Sequence, residues 1–345
     1  MSILSGVTNF FGLDIGTSSI RLVELKGSGP IKSLVKYAYA PLDASISTLD
    51  SKSNLLITDT IKKLIAKAQI TTTNVAVGLP SQKVFTTVVE VDKLTPKEQA
   101  KSIQYQLASF IPTPIDESKT DWSIIGDSPT NPAKVELLIS SVLNSVAQDR
   151  LDMLGSIGLN VVALEPDNLA ITRALLDPKN PNPQMVFDLG SYTSELVISM
   201  NNAALLTRSI NYGVESLIKS VTQDLNIKRD QAQEVIFKFG LDKARAQGQV
   251  YQALMNPIHS VLSEIDLSVK FFTNKYPNLK LNKIIVAGSS AIIPDFPVVL
   301  ANHTGIDVEI GNAWRNVDFD AKRQNELLAI SNYFGVAVGL AERLE

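Results

Sequence analysis

Phe10-Phe11-Gly12-Leu13-Asp14-Ile15-Gly16-Thr17-Ser18-Ser19-Ile20-Arg21-Leu22-Val23-Glu24-Leu25 reads as two strands joined by a tight turn. Phe10 to Asp14 is an apolar run ending on a carboxylate. Ile20 to Leu25 is mostly aliphatic, interrupted by Arg21 and Glu24. Gly16 lets the backbone turn where a Cβ would clash. Thr17, Ser18 and Ser19 then gather hydroxyls and backbone N–H groups into one small concavity, which favours an anion such as phosphate. Asp14 repels phosphate but suits Mg²⁺ or its waters beside one. Taken alone, the stretch is equally a β-hairpin with a polar turn and no ligand.

The pattern recurs at Val186-Phe187-Asp188-Leu189-Gly190-Ser191-Tyr192-Thr193-Ser194-Glu195-Leu196-Val197-Ile198. With Asp14 set on Asp188, Gly16 falls on Gly190 and Leu22 on Leu196. A repeat at so long an interval points to two related domains, because solenoid periods are much shorter. Two such hairpins facing across a cleft would clamp a triphosphate, with Ser191, Thr193 and Ser194 opposite Thr17, Ser18 and Ser19 and a metal between the carboxylates.

A chain of 345 residues suffices for two domains. With 45% hydrophobic and 19% charged residues it is globular. A net charge of −3 and the lack of a basic run argue against a nucleic-acid partner. The chain has no cysteine, which excludes disulfides, a thiolate nucleophile and Cys-ligated zinc. His259 and His303 lack metal-ligand spacing. No stretch reaches the roughly 18 apolar residues of a membrane helix. Met1 to Phe11 lacks the positive start and cleavage site of a signal peptide and reads as a lead-in to the first strand.

Along the chain, strands are expected at Ser33–Tyr39 and Asn74–Leu79. Leu55 to Ala68 is expected as a helix whose buried face includes Leu55, Leu56, Ile61, Leu64, Ile65 and Ala68. Thr95-Pro96 with Glu98 marks a capped helix start, and that helix stops before Pro112. A hairpin over Asp121–Gly126 and Lys134–Val142 and a helix over Ser145–Ile157 follow. Residues 82–164 therefore read as an α+β insert within a first domain at 1–177. Residues 178–183, with three prolines, read as a linker, and 184–345 as the second domain. Gly213 opens a helical region broken near Asn226, and Gln252–Tyr276 is a long amphipathic helix. Leu281–Ala287 is a strand running into Gly288-Ser289-Ser290 and a helix, an arrangement open to phosphate or nucleoside. A closing helix at 325–344 is expected to pack on the core, with a return onto the first domain allowed.

Asp14-x-Gly16, Asp188-x-Gly190 and Gly288-Ser289-Ser290 stand in the order of the phosphate-1, phosphate-2 and adenosine motifs of the actin-like ATPase superfamily. Within it the chain resembles the PilM family of type IV pilus assembly proteins. The most specific part is Tyr105-x5-Ile111-Pro112-Thr113-Pro114-Ile115-Asp116-Glu117, similar to that family's "IPFPIDE" segment. Asn312-Ala313-Trp314-Arg315-Asn316-Val317 and Phe334 to Ala341 also match.

The resemblance implies an α/β fold of duplicated actin-like (ribonuclease H-like) domains around an ATP·Mg²⁺ cleft, with an insert of the type called 1C. It implies phosphate contacts that include Arg21 and an adenosine site at Gly213, Gln233, Glu234, Gly288, Ser289 and Ser290. Asp14 and Asp188 would hold Mg²⁺ through water. It further implies binding of the cytoplasmic N-terminal tail of PilN, a peptide taken beside the insert near Tyr105 and Ile111. This would link the assembly motor to the inner-membrane platform from its cytoplasmic face.

Departures from the family pattern are plain. Gln233 and Ile236 stand where an acid and a lysine are usual, the adenosine motif is poor in glycine, and Arg21 replaces a lysine. The phosphate clamps are intact while the nucleoside pocket is altered, so ATP binding is expected over efficient hydrolysis. The competing readings are a small-molecule kinase on the same fold and a filament-forming relative of FtsA or MreB.

Overall fold

The computed structural model describes residues 9–42 and 53–343. Residues 1–8, on which the lead-in reading falls, lie outside them.

The chain begins with β1 (Phe11–Ile15), β2 (Ser19–Lys26) and β3 (Lys32–Pro41), an antiparallel meander. Helix α1 (Asn54–Ala68) then crosses to β4 (Asn74–Leu79), which pairs parallel with β1. Every residue of β1 is buried, as a central strand covered on both faces requires. Helix α1 covers one face through Ile57, Ile61 and Leu64, but Leu55 and Leu56 face solvent, Leu55 at 84% exposure. The expected apolar face was therefore one turn too long: the buried stripe begins at Ile57.

Next comes the insert: β5 (Val84–Asp92), α2 (Pro96–Phe110), β6 (Ser118–Asp127) and β7 (Lys134–Leu143). Its antiparallel sheet has the order β5-β7-β6. Helix α2 starts with the capping box the sequence announces, the Thr95 hydroxyl donating to Glu98 at 2.6 Å. It covers one sheet face through Ile103, against Val91, Val135, Leu137 and Ile139.

After α3 (Asn144–Gly155), strand β8 (Asn160–Pro166) returns to the first sheet beside β4. Met153 and Leu154 of α3 join the core of that sheet too. The insert's own sheet thus ends at residue 143, and the expected boundary at 164 takes in two elements that belong to the first domain.

Helix α4 (Asp167–Leu175) leads to the second half. This runs through β9 (Gln184–Leu189), β10 (Ser194–Met200), β11 (Ala203–Ile210), α5 (Val214–Leu225), α6 (Arg229–Phe239), α7 (Gln249–Lys275), β12 (Lys283–Gly288), α8 (Phe296–Thr304) and β13 (Asp307–Ile310). Asn201 and Asn202, both at positive φ, form the two-residue turn between β10 and β11. The sheet order is β11-β10-β9-β12-β13, with β12 parallel to β9. Counted from its edge, this repeats β3-β2-β1-β4-β8 strand for strand, so the duplication seen in two hairpins extends through both sheets.

Finally β14 (Val317–Asp318) adds to β3, and α9 (Gln324–Ala341) lies across β1, β2 and β4 and beside α4. A Cβ on Gly339 would stand 1.8 Å from the Ala170 carbonyl oxygen, so glycine sets how closely α9 and α4 approach. Buried Glu165 is shared by Arg173 and Arg343, while the Lys32 ammonium donates to the Ala341 and Arg343 carbonyls at 3.1 and 2.7 Å. The end of the described chain is thereby fastened to the first sheet.

Candidate functional site

Asp14 and Asp188 occupy equivalent places, each one residue short of the end of its strand. Asp14 lies opposite Arg21 in the β1–β2 register, and the Arg21 guanidinium bonds its carboxylate at 2.7 Å. Asp188 is half-buried. Burial pushes its pKa up to about 6, Arg21 works against that rise and Asp14 adds to it. Those two charges sit on the other hairpin, so the two turns face each other.

Two further carboxylates converge here that the sequence reading missed. Asp167 opens α4 directly after β8. Burial raises its pKa strongly, Asp14 raises it further, Arg150 opposes, and Glu195 and Asp188 add to the rise. Glu195 stands opposite Asp188 across β9 and β10 and accepts the Ser209 hydroxyl at 2.6 Å. Burial pushes its pKa up to about 8, against the Ser209 bond and with help from Asp188. Arg150 of α3 is buried, which lowers its pKa against the pull of Asp167 and Asp14. Four carboxylates and two guanidiniums therefore share one partly buried region between the sheets, with Asp14 and Arg150 its most buried members. Within it, Arg21 Nε and Asp167 Oδ1 have no hydrogen-bond partner, as expected of a site made for a polar guest.

Asp167 gave a weak signal in sequence, because an acid at the first position of a helix is ordinary. Glu195 gave a stronger one: it is the single charge in the otherwise buried run Ser194–Ile198.

The predicted phosphate residues divide into two groups. Thr17 is half-buried and Ser18 exposed at the first turn, while Ser19 is buried at the start of β2. Gly190 N–H donates to the Thr193 carbonyl at 3.0 Å, closing the second turn. The N–H groups of Val214 and Glu215 donate to the Gly190 and Ser191 carbonyls at 3.0 and 2.9 Å, which seats the start of α5 on that turn. The Thr193 hydroxyl accepts from Gln82 Nε2 at 2.7 Å, a bond from the root of the insert. Ser194 is a correction: it is fully buried, and its hydroxyl donates to the Tyr212 carbonyl at 2.6 Å, fixing the strand instead of facing the turn.

On the adenosine side, Gly288 has φ +59, and Asp188 Oδ1 lies 2.1 Å from where its Cβ would stand. A side chain there would push the Asp188 carboxylate out of place. Ser289 is half-buried and its carbonyl accepts from Ile292 and Ile293, turning the chain. Ser290 is a second correction: it is buried and its hydroxyl donates to the Ala287 carbonyl at 2.5 Å. Gly213 lies against Ser191 and Tyr192, in the second turn. Gln233 and Glu234 are exposed on α6, where Arg229 reaches Gln233 at 3.4 Å and Glu215 at 2.5 Å. Ile236 is core.

The structure separates the two expected peptide-groove residues. Tyr105 is 77% exposed on α2, whereas Ile111 is buried in the insert core and offers no surface. Among the described residues, no three acid or His side chains are placed to hold a metal directly, and no helix is long and apolar enough to cross a membrane.

Two duplicated sheets, each carrying an Asp-x-Gly hairpin turned toward the other, define an actin-like ATPase fold. The chain belongs to the family described as type IV pilus assembly protein PilM, whose model matches residues 12–344. Among solved structures it is similar to a PilM–PilN type IV pilus biogenesis complex, at 23% identity over 96% of this chain and 97% of that one, with a TM-score of 0.80. It also resembles the ethanolamine utilization protein EutJ from Carboxydothermus hydrogenoformans (16% identity, 96% and 88% covered, TM-score 0.56). MreB5 of Spiroplasma citri bound to ADP matches at 12% identity over 96% and 95% of the two chains, with a TM-score of 0.54. At these identities the likeness establishes the fold.

Proposed function

We propose that this chain is a nucleotide-binding scaffold of type IV pilus assembly that takes the cytoplasmic N-terminal tail of a PilN-like membrane protein. The observation that carries the nucleotide reading is the convergence of Asp14, Asp167, Asp188 and Glu195 with Arg21 and Arg150 between the two hairpins. ATP·Mg²⁺ suits that region: Thr17, Ser18, Ser191 and Thr193 offer hydroxyls, Arg21 a cation, and Gly288 with Ser289 a bare approach for the nucleoside. Gly16 and Gly190 keep both turns tight. Asp14 and Asp188 would hold the metal through its waters. When bound, the metal would neutralise phosphate charge. Burial holds Asp167 toward the neutral acid and pushes the Glu195 pKa up to about 8, so Glu195 would exchange a proton with water near neutral pH.

The tail reading is supported by the chain's family and by the exposed Tyr105 face of α2 on the insert. An extended peptide is the natural occupant of such a shelf. Placed there, the protein would sit at the inner face of the cytoplasmic membrane through its partner and join the motor to the platform. The test is fluorescence anisotropy with a labelled PilN-like N-terminal peptide, titrated with wild type and Tyr105→Ala. Micromolar binding weakened about tenfold by the variant supports the reading. Absence of binding with or without ATP·Mg²⁺ removes it.

A further inference from the structure

The insert is rooted in the first domain by sequence, yet the sheet face away from α2 rests on the second. The Thr207 hydroxyl of β11 donates to the Thr86 carbonyl of β5 at 3.4 Å, and Lys275 Nζ donates to the Val88 carbonyl at 3.5 Å. At the centre is Glu136 of β7, 3% exposed. It accepts the Tyr276 hydroxyl at 2.8 Å and pairs with Lys275 at 3.0 Å. Burial and the neighbouring Glu136 raise the Tyr276 pKa, so the phenol remains a donor. Ile125 of β6 packs on the second-domain core. At the insert's other end, Gln82 holds the hydroxyl of Thr193 in the second phosphate turn.

We propose that the insert is a latch: Glu136, Tyr276 and Lys275 dock it on the second domain, and through Gln82 the docked insert holds the second phosphate turn. Thr193 is asked to serve two partners. Its hydroxyl accepts from Gln82 here, which leaves its own proton free to donate to a phosphate, so Gln82 orients the hydroxyl that a phosphate would use. A buried carboxylate held by two donors has no half-released position of low energy, because an unpaired charge inside is costly. The latch therefore has two discrete states, docked and free, which is the requirement for a switch. The occupant of the cleft and the orientation of the peptide-bearing insert would then be linked. That last step rests on the nucleotide reading; the latch itself does not.

The test is hydrogen–deuterium exchange on the full chain without nucleotide, comparing wild type with Tyr276→Phe and, separately, Gln82→Ala. Loss of one hydrogen bond to a buried charge predicts about tenfold faster exchange in β5 and β7 of Tyr276→Phe, carried through to residues 190–193. Gln82→Ala would speed exchange at 190–193 and, reciprocally, in β5. Changes confined to the neighbourhood of each substitution in both variants would overturn the latch. Calorimetry with ATP·Mg²⁺ on the same wild-type sample keeps the two ideas apart. An absence of heat sinks the nucleotide reading and leaves the exchange result to decide the latch.

Discussion

Arg21 and Asp14 face each other across the β1–β2 hairpin, and the guanidinium closes on the carboxylate at 2.7 Å. The first hairpin turn thus holds a cation and the acid proposed to face the metal as one pair. Removing Arg21 leaves a buried, unpaired carboxylate. Arg21→Ala is expected to lose about 3 kcal/mol of stability, read by urea denaturation. Asp14→Asn in the same background should recover part of that loss without restoring nucleotide affinity. Full stability in Arg21→Ala would mean that the pair carries no structural weight.

Glu195 makes stability depend on pH. Its pKa in the fold is about 8 against an ordinary 4.5, with burial the main cause. The folded state therefore holds more protons than the unfolded chain between those values, and stability falls as pH rises through that window. Asp188 adds to the same slope below about 6. Glu195→Gln should lessen the fall between pH 6 and 8, seen as a melting temperature that drops less across that range than in the wild type, the remainder coming from Glu342. An unchanged slope would place the titration elsewhere, with Glu342, also pushed to about 8 by burial, the first suspect.

Gly339 sets the contact between α9 and α4. In Gly339→Ala the new methyl meets the Ala170 carbonyl oxygen and carbon at 1.8 and 2.5 Å, both backbone atoms that cannot swing aside. A destabilisation of at least ~2 kcal/mol is expected from overpacking. A thermal melt within a degree of wild type would contradict this packing.

Glu165 ties the first sheet to the end of α9. Burial alone would raise its pKa, but Arg173 and Arg343 more than offset that and hold it below the ordinary value. Its stabilisation is present above pH 4.5 and is lost as pH falls through the folded value. Glu165→Gln should cost about 2 kcal/mol at pH 7 and less in acid, because two half-buried guanidiniums lose their buried counter-charge.

Much of the fold was legible because strand pairs announce themselves. Phe10 to Leu25 and Val186 to Ile198 carry apolar strands, a glycine and hydroxyls in an order that few other structures need. The Thr95–Glu98 box and Asn226 marked helix ends for local reasons that the structure repeats. What could not be read was decided by contacts between distant segments. Periodicity gives β8 no preference between the insert and the first sheet; its pairing with β4 settles that. Asp167 is unremarkable beside its neighbours in sequence and matters because α4 starts at the cleft. Ser194 and Ser290 looked like ligand contacts by type, but their hydroxyls are spent on the Tyr212 and Ala287 carbonyls. Leu55 and Leu56 fit an apolar face on spacing, yet both are largely exposed among the described residues.

The most direct measurement is calorimetric titration of the protein with ATP·Mg²⁺, repeated for Asp14→Ala and Asp188→Ala. A clamp built from both hairpins predicts micromolar binding by the wild type, weakened at least tenfold in each variant. No heat from the wild type, or binding that survives both substitutions, would contradict a two-sided nucleotide cleft.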